Sequence, residues 1–484
     1  MAKITTIIDI GSNSMRMVVF KKTSRFGFHL INESKSKVKI SEGCYEYNGN
    51  LQEIPMQRAF DTLKSFLDIA SNLKSRKVMC VATSALRDAP NKQEFISKVS
   101  KQLKLNIKII DGQKEATYGG IATLNLLPNN TFTTIDIGGG STEFAFVENK
   151  KIVKTVSLKI GTVRLKELYI QNNDFDGAKN YIIEQLKEFD TISNVVGLGG
   201  SARALSRIIL EQSNYPLDIL HGFTYDVNNN MELFSNIINA TSSKELKELG
   251  VAKDRYDTIL TGTFIWKTIL EYLEIKKVTT SSVGVREGVY LSDILRTSNQ
   301  IFPSNFNISV RSLLDRFVDD ESQSAYLGNN AKNIFDSLLP LHNLDDKYKS
   351  ILVIASKLQL IGVSLNFEKN EDNAFWYILN GLNYGFTHED KMLIAVVAKY
   401  TKKSLPKIND IEDFKSLLPS LEVVQWLNFM MTLNISLNAQ FSKTKYEYNL
   451  VDNLLTINTK NSKYIVQRAL KKIKAPVSLD MELK

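Results

Sequence analysis

At 484 residues, 43% of them hydrophobic, the chain is long enough for roughly three globular domains of about 150 residues each. A formal charge of +9 and a pI near 9.1 point toward an anionic partner, a polyanion or a nucleotide, although Lys-rich solvated faces give the same balance. Two cysteines, Cys44 and Cys80, exclude a disulfide framework and fit a reducing compartment, and no stretch approaches the roughly 20 uninterrupted apolar residues of a membrane span.

In chain order, the opening MAKITTIID runs straight into a strand with no apolar export segment before it, so a soluble cytoplasmic protein is expected. TIIDI and MRMVVF read as paired strands around a turn at Gly11-Ser12-Asn13-Ser14. Residues 55–74 place Phe60, Leu63, Phe66, Leu67 and Ala70 at helical spacing. VMCVAT and NIKIID read as strands, with Cys80 a packing residue, and EATYGGIATLNLL as a helix with Glu115 in its first turn. TTIDIGGGSTEFAFV (133–147) then repeats TIIDIGSNSMRMVVF (6–20), sharing Thr6/Thr133, Ile8/Ile135, Asp9/Asp136, Ile10/Ile137, Gly11/Gly138 and Ser14/Ser141. KIVKTVSLKIG reads as a strand and RLKELYI as a helix start. NVVGLGG with ARALSRIIL, and VTTSSVGVREGVYLSDIL, are two strand-glycine-helix steps. Alternation of this kind indicates an α/β architecture with the chemistry at strand ends. Residues 296–309 read as a polar linker. Beyond it the pattern is helical, including VVQWLNFMMTLNISL, which Gln425, Asn428 and Asn434 disqualify as a span, and YEYNLVDNLLTINT reads as a late hairpin turning at Asp452-Asn453. The basic VQRALKKIKAP reads as a solvated helix face, with a polyanion contact as the alternative.

The duplicated turn offers a carboxylate, hydroxyls and backbone amides, a set that suits phosphate and a metal ion. In the first copy Arg16 follows Ser14 and can fork onto phosphate oxygens. In the second, Gly138, Gly139 and Gly140 carry an entropic cost that close approach to a ligand explains. Asp136 suits Mg²⁺ there, and Glu143 takes the place of Arg16. Thr83, Ser84 and Arg87 follow a strand and suit an anion, although taken alone they read more readily as a capped helix start with a surface arginine. Glu115 at a helix start would be kept ionised by the helix dipole. GVREG supplies a further arginine at a strand end, and VVGLGGSAR suits phosphate or sugar but lacks the dinucleotide spacing. No P-loop sequence exists, and the four histidines, His29, His221, His342 and His388, form no ligand spacing.

Seven ordered blocks, DIGSNSMRMVV, ATSALRDAPN, DGQKEATYGG, DIGGGSTE, SLKIGTVRLKE, VGLGGSARAL and SSVGVREGVYLSDI, resemble the exopolyphosphatase and guanosine pentaphosphate phosphatase family. That resemblance implies the actin-like, sugar-kinase-like superfamily: two ribonuclease-H-like lobes (1–125 and 126–300) and a mainly α-helical, HD-like third domain (301–484). It implies Mg²⁺-dependent release of terminal phosphate from polyphosphate, or from pppGpp within the stringent response. It also implies a homodimer, with no membrane and no specific nucleic acid as partner. Carried over, Glu115 matches the general base, with Lys114 beside it where the family usually has a second Glu. Asp136 and Glu143 match acidic groups associated with metal and water. Gly138, Gly139, Gly140 and Ser141 match the phosphate turn, and Asn13, Ser14, Arg16, Ser84 and Arg87 match groups around the phosphates. In the third domain Gln359 and Thr401 stand where histidines are frequent, so a separate metal-phosphohydrolase site is not expected there. A kinase of the same superfamily and a non-catalytic (p)ppGpp-binding sensor are the competing functions.

Overall fold

The computed structural model describes residues 3–401, 404–460 and 464–484 and divides into two compact units, Met1–Phe306 and Asn307–Lys484. Met1 and Ala2 ahead of the first strand, and Lys402 and Lys403 of AKYTKK, lie outside the described residues.

In the first unit, apolar runs bounded by turn residues build two mixed sheets. One takes β1 (Ile4–Ile10), β2 (Met15–Lys22), β3 (Phe28–Ser36), β4 (Lys77–Ala82) and β5 (Ile107–Ile109) in the order β3-β2-β1-β4-β5. The other takes β6 (Phe132–Ile137), β7 (Thr142–Glu148), β8 (Lys151–Leu158), β9 (Asn194–Leu198), β10 (Thr224–Asp226) and β11 (Lys277–Thr280) in the order β10-β11-β9-β6-β7-β8. Each sheet has an antiparallel hairpin, β1–β2 or β6–β7, whose first strand pairs in parallel with a later one, β4 or β9. The repeat survives to single-residue register, since Asp9 lies opposite Arg16 as Asp136 lies opposite Glu143.

β1 is buried along Thr5–Ile8, as a central strand covered on both faces must be. The edge strand β3 exposes the charged Glu33 and Lys35, which blunt its free edge. Helix Glu53–Asn72 buries Phe60, Leu63, Phe66 and Ala70 against the first sheet, the stripe its sequence spacing demands. Under the second sheet Trp266 is fully buried, and its indole N–H finds the Tyr225 hydroxyl at 3.0 Å, so a large apolar side chain is interred without orphaning its polar atom.

The expected linker at 296–309 is ordered at both ends. Asn125 accepts from the Phe302 amide at 3.0 Å and donates to the Gln300 carbonyl at 2.8 Å, and the Phe302 and Phe306 rings pack with Phe26. Ile308 already begins a helix, Ile308–Phe317, capped by Asn307. Polar composition concealed two half-buried aromatic anchors.

The second unit is mainly helical, with Glu321–His342, Asp346–Leu358, Asn370–Gly381, His388–Lys399 and Leu421–Leu437 as its longer helices. Leu421–Leu437 is its central helix: Trp426, Phe429, Met430 and Leu433 are buried, and the interrupting amides find acceptors for their N–H groups, Asn428 donating to Val397 O at 3.2 Å and Asn434 to Leu327 O at 2.9 Å, while Asn428 Oδ1 is buried without a partner. Among the described residues no helix is long and apolar enough to cross a membrane. The expected hairpin forms as β12 (Glu447–Val451) and β13 (Leu454–Asn458), with Asp452 left-handed at its turn, and the C-terminal β14 (Asp480–Leu483) adds a parallel third strand. Gln359 is buried, its carbonyl accepting from the Asn370 amide at 3.0 Å.

Candidate active site

The two hairpin turns of the repeat face each other across one cavity of about 150 Å³ in the first unit. Both turns close the same way: the Gly11 amide donates to Ser14 O at 3.3 Å, and Gly138 to Ser141 O at 2.9 Å. Their carbonyls are engaged by other backbone. Lys39 N and Ser41 N reach Asn13 O and Ser12 O, while Thr162 N and Val163 N reach Gly138 O and Gly139 O. What each turn has left to offer a ligand is its N–H groups and hydroxyls. The approach is close enough that a β-carbon at Gly139 would stand 2.6 Å from that of Ser12, which glycine alone permits.

Asn13, Ser14, Arg16, Ser84, Glu115, Asp136, Gly138 and Gly139 line the cavity. Arg87, Gly140, Ser141 and Glu143 stand behind its wall. Helix Ser84–Arg87 carries Arg87 to Glu115 at 2.9 Å and to the Ser141 hydroxyl at 3.2 Å, so one guanidinium joins the first sheet's strand end to the second turn. Ser84 and Ser12 share a hydrogen bond at 3.1 Å. Glu115 lies in the first turn of helix Gly112–Leu126, whose N-cap Asp111 accepts from the Lys114 amide. Lys114 itself turns its ammonium over the Tyr118 ring, 5.1 Å from the centroid. Glu143 is buried and accepts from Ser157 Oγ at 2.8 Å.

Acidic groups here hold protons above their ordinary range. Burial pushes Glu143 up to about 7 and Asp9 up to about 6, Asp9 against the pull of Arg286 and Arg16. Burial, with the nearby Glu143 charge, raises Glu115 well above a normal glutamate although Arg87 opposes it. Burial raises Asp136 as well, against Arg203, Arg16 and Arg286. Asp9 Oδ1 is buried with no hydrogen-bond partner.

The wall also takes Asp9 and Arg286, noted in the sequence as the first carboxylate of the repeat and the arginine of GVREG but given no site role, and Arg203 and Arg255, which the sequence did not single out. Asp9 had a signal, its match to Asp136 in the repeat. Arg203 and Arg286 lie in the two strand-glycine-helix steps, whose side chains could not be placed individually. Arg255 sits in a single turn, Lys253–Arg255, that has no motif. Arg16, Arg203 and Arg286 crowd one another. Burial, then the other two guanidiniums, lowers Arg203 to about 10, and Arg16 is lowered by burial, Arg286 and Arg255. Burial also acts to lower Arg286, but Glu287 and an ion pair with Glu33 at 2.7 Å outweigh it. Four guanidiniums drawn together around a small cavity form an anion receptor.

The Ppx/GppA phosphatase family matches residues 18–297, and its domain III matches residues 307–473. A guanosine-5′-triphosphate,3′-diphosphate pyrophosphatase of Aeromonas hydrophila is 26% identical over 413 residues, spanning 81% of this chain and 79% of the relative. A solved Ppx/GppA family member from Aquifex aeolicus is 28% identical with a TM-score of 0.53, covering 62% of this chain and 99% of that one. A solved exopolyphosphatase from Cytophaga hutchinsonii, 23% identical with a TM-score of 0.56 over 60% of this chain and 98% of that one, shares the fold.

Proposed function

Because the chain belongs to the Ppx/GppA phosphatase family, it is a phosphoanhydride hydrolase, and we propose that it removes the terminal phosphate of pppGpp or inorganic polyphosphate in the cavity between its two turns. The observation that carries the reading is Glu115: a carboxylate of raised proton affinity, held by Arg87, in a wall shared with both turns and three crowded arginines.

In this reading Arg16, Arg203 and Arg286 bind and neutralise the phosphoryl oxygens, and the amides and hydroxyls of Ser12–Ser14 and Gly138–Gly139 orient the terminal group. Glu115 takes the proton of the attacking water as the water oxygen bonds to phosphorus and the bond to the bridging oxygen breaks. Arg87 fixes the position of Glu115. Glu143, outside the cavity wall, acts by keeping Glu115 basic.

Mg²⁺ fits the residues present, since Asp9 and Asp136 present hard oxygen donors to the cavity and Asp9 Oδ1 has no other partner. These two carboxylates would hold the ion, and among the described residues no group of three or more His, Cys, Asp or Glu converges on a metal position. Bound there, the ion would supply further neutralisation of phosphoryl charge.

Free, buried Cys44 and Cys80 support a cytoplasmic setting. The homodimer remains part of the reading, to be checked by light scattering. Purified protein with Mg²⁺ is expected to release orthophosphate from pppGpp, from long-chain polyphosphate, or from both. Tight binding of each with release from neither would overturn the hydrolase reading.

A further inference from the structure

A second cavity, of about 430 Å³, opens beside the N-terminal end of β1. Five cations, Lys3, Lys22, Arg76, Lys77 and Arg296, line it against one carboxylate, Asp293. Backbone bonds bring their segments together: Lys22 N donates to Lys3 O at 3.0 Å and Arg76 N to Ile4 O at 3.0 Å. Helix Val285–Ile294 ends at the cavity and supplies Asp293. That carboxylate is already neutralised, with Lys77 Nζ at 2.6 Å and Arg296 Nη1 at 3.6 Å, while Arg296 also donates to the Asp293 carbonyl at 3.3 Å.

A net excess of four positive charges therefore lines a concave volume. Ammonium and guanidinium groups on a merely solvated face spread apart; gathered around a hollow, they focus a field that recruits anions. The volume falls within the roughly 300–1,000 Å³ typical of small-molecule sites. Part of the lining is apolar, from Ile4, Ile294 and Tyr290, the last braced by stacking on Phe20 at 4.4 Å. The catalytic cavity is elsewhere. Five residues of β1, about 16 Å, separate Ile4 from Asp9, and the ten-residue helix that begins beside the cleft at Val285 runs about 15 Å before it reaches the second cavity.

We propose that this cavity is a second anion site that takes a small molecule carrying an oligophosphate, inorganic or nucleotide. The five cations grip the phosphates by charge-assisted hydrogen bonds, and the apolar wall accommodates whatever the phosphates are attached to. The site does not depend on which phosphoanhydride the cleft hydrolyses.

The test is calorimetric titration of the full chain with inorganic tripolyphosphate, in EDTA to halt turnover. The wild type is expected to bind two equivalents. K22Q/R296Q is expected to bind one and to keep its phosphate release in Mg²⁺, whereas R203Q is expected to weaken the other equivalent, in the cleft, about tenfold or more. ADP as a second probe separates the sources: occupancy of the Lys22 site by ADP makes the ligand a nucleotide, and occupancy by tripolyphosphate alone makes it inorganic. K22Q by itself, with circular dichroism to confirm folding, is expected to weaken the second site about tenfold, the loss of one charge-assisted bond. Binding in K22Q/R296Q that matches the wild type in both stoichiometry and affinity overturns the proposal.

Discussion

Asp9→Asn isolates a single buried charge whose cost is measurable. In the folded chain Asp9 ionises near pH 6 because burial opposes its charge, against an ordinary value of 3.8. Its folded-state affinity for protons is raised, so the stability contributed by the protonated form is complete below about pH 3.8 and disappears as pH rises through about 6. At 1.36 kcal/mol per pH unit, the gap amounts to about 3 kcal/mol by pH 8. Asparagine never ionises, so D9N should gain about 2.5 kcal/mol relative to wild type between pH 4 and pH 8 in metal-free buffer. Any penalty for the unpartnered amide is independent of pH and leaves this slope intact. Urea unfolding of both proteins across that range reads the difference directly. Adding Mg²⁺ at pH 8 should stabilise wild type by mass action and leave D9N behind. A stability difference that stays flat with pH would falsify the claim that Asp9 is held as a desolvated charge.

Three further outcomes follow from the same geometry. R203Q removes a guanidinium crowded by Arg16 and Arg286, and steady-state kinetics should show KM raised about tenfold or more with the fold retained; an unchanged KM would remove Arg203 from phosphate binding. G139A places a β-carbon against Ser12, so turnover should fall steeply while thermal unfolding registers about 1–3 kcal/mol of overpacking; normal turnover would mean the turns need not approach. D257N cuts ion pairs to Lys37 at 2.6 Å and Lys39 at 3.0 Å that tie the two sheets' segments beside the cleft. KM should rise in low salt and converge with wild type in high salt, and a defect independent of salt would argue against an electrostatic tie.

The repeated turns were legible because short continuous apolar runs and a glycine turn recur at one offset, and the register of Asp9–Arg16 and Asp136–Glu143 follows from that pattern alone. Glu115 was legible as a helix-start carboxylate, but its bond to Arg87 closes a gap of 28 residues that no local pattern encodes. Position in the repeat put Glu143 beside Asp136; the structure adds that Ser157, from β8, holds it behind the wall. Arg255 was out of reach because an isolated arginine in a short turn has no periodicity to betray what it faces. β14 was missed for a similar reason: four residues, Asp480–Leu483, carry too little alternation to announce a strand, and pairing with β13 is what orders them. The region at 296–309 shows the reverse error, in which polar composition outweighed the two phenylalanines that anchor it.

The proposed reaction turns on Glu115 activating water for attack on a terminal phosphorus. The measurement closest to it is mass spectrometry of orthophosphate released in ¹⁸O-water with Mg²⁺, comparing wild type with E115Q on pppGpp and on polyphosphate. Wild type should place one solvent oxygen in each phosphate released, and E115Q should bind substrate with similar affinity while releasing phosphate about 10²–10⁴-fold more slowly. Undiminished release of labelled phosphate by E115Q, or phosphate leaving wild type without solvent oxygen, would contradict it.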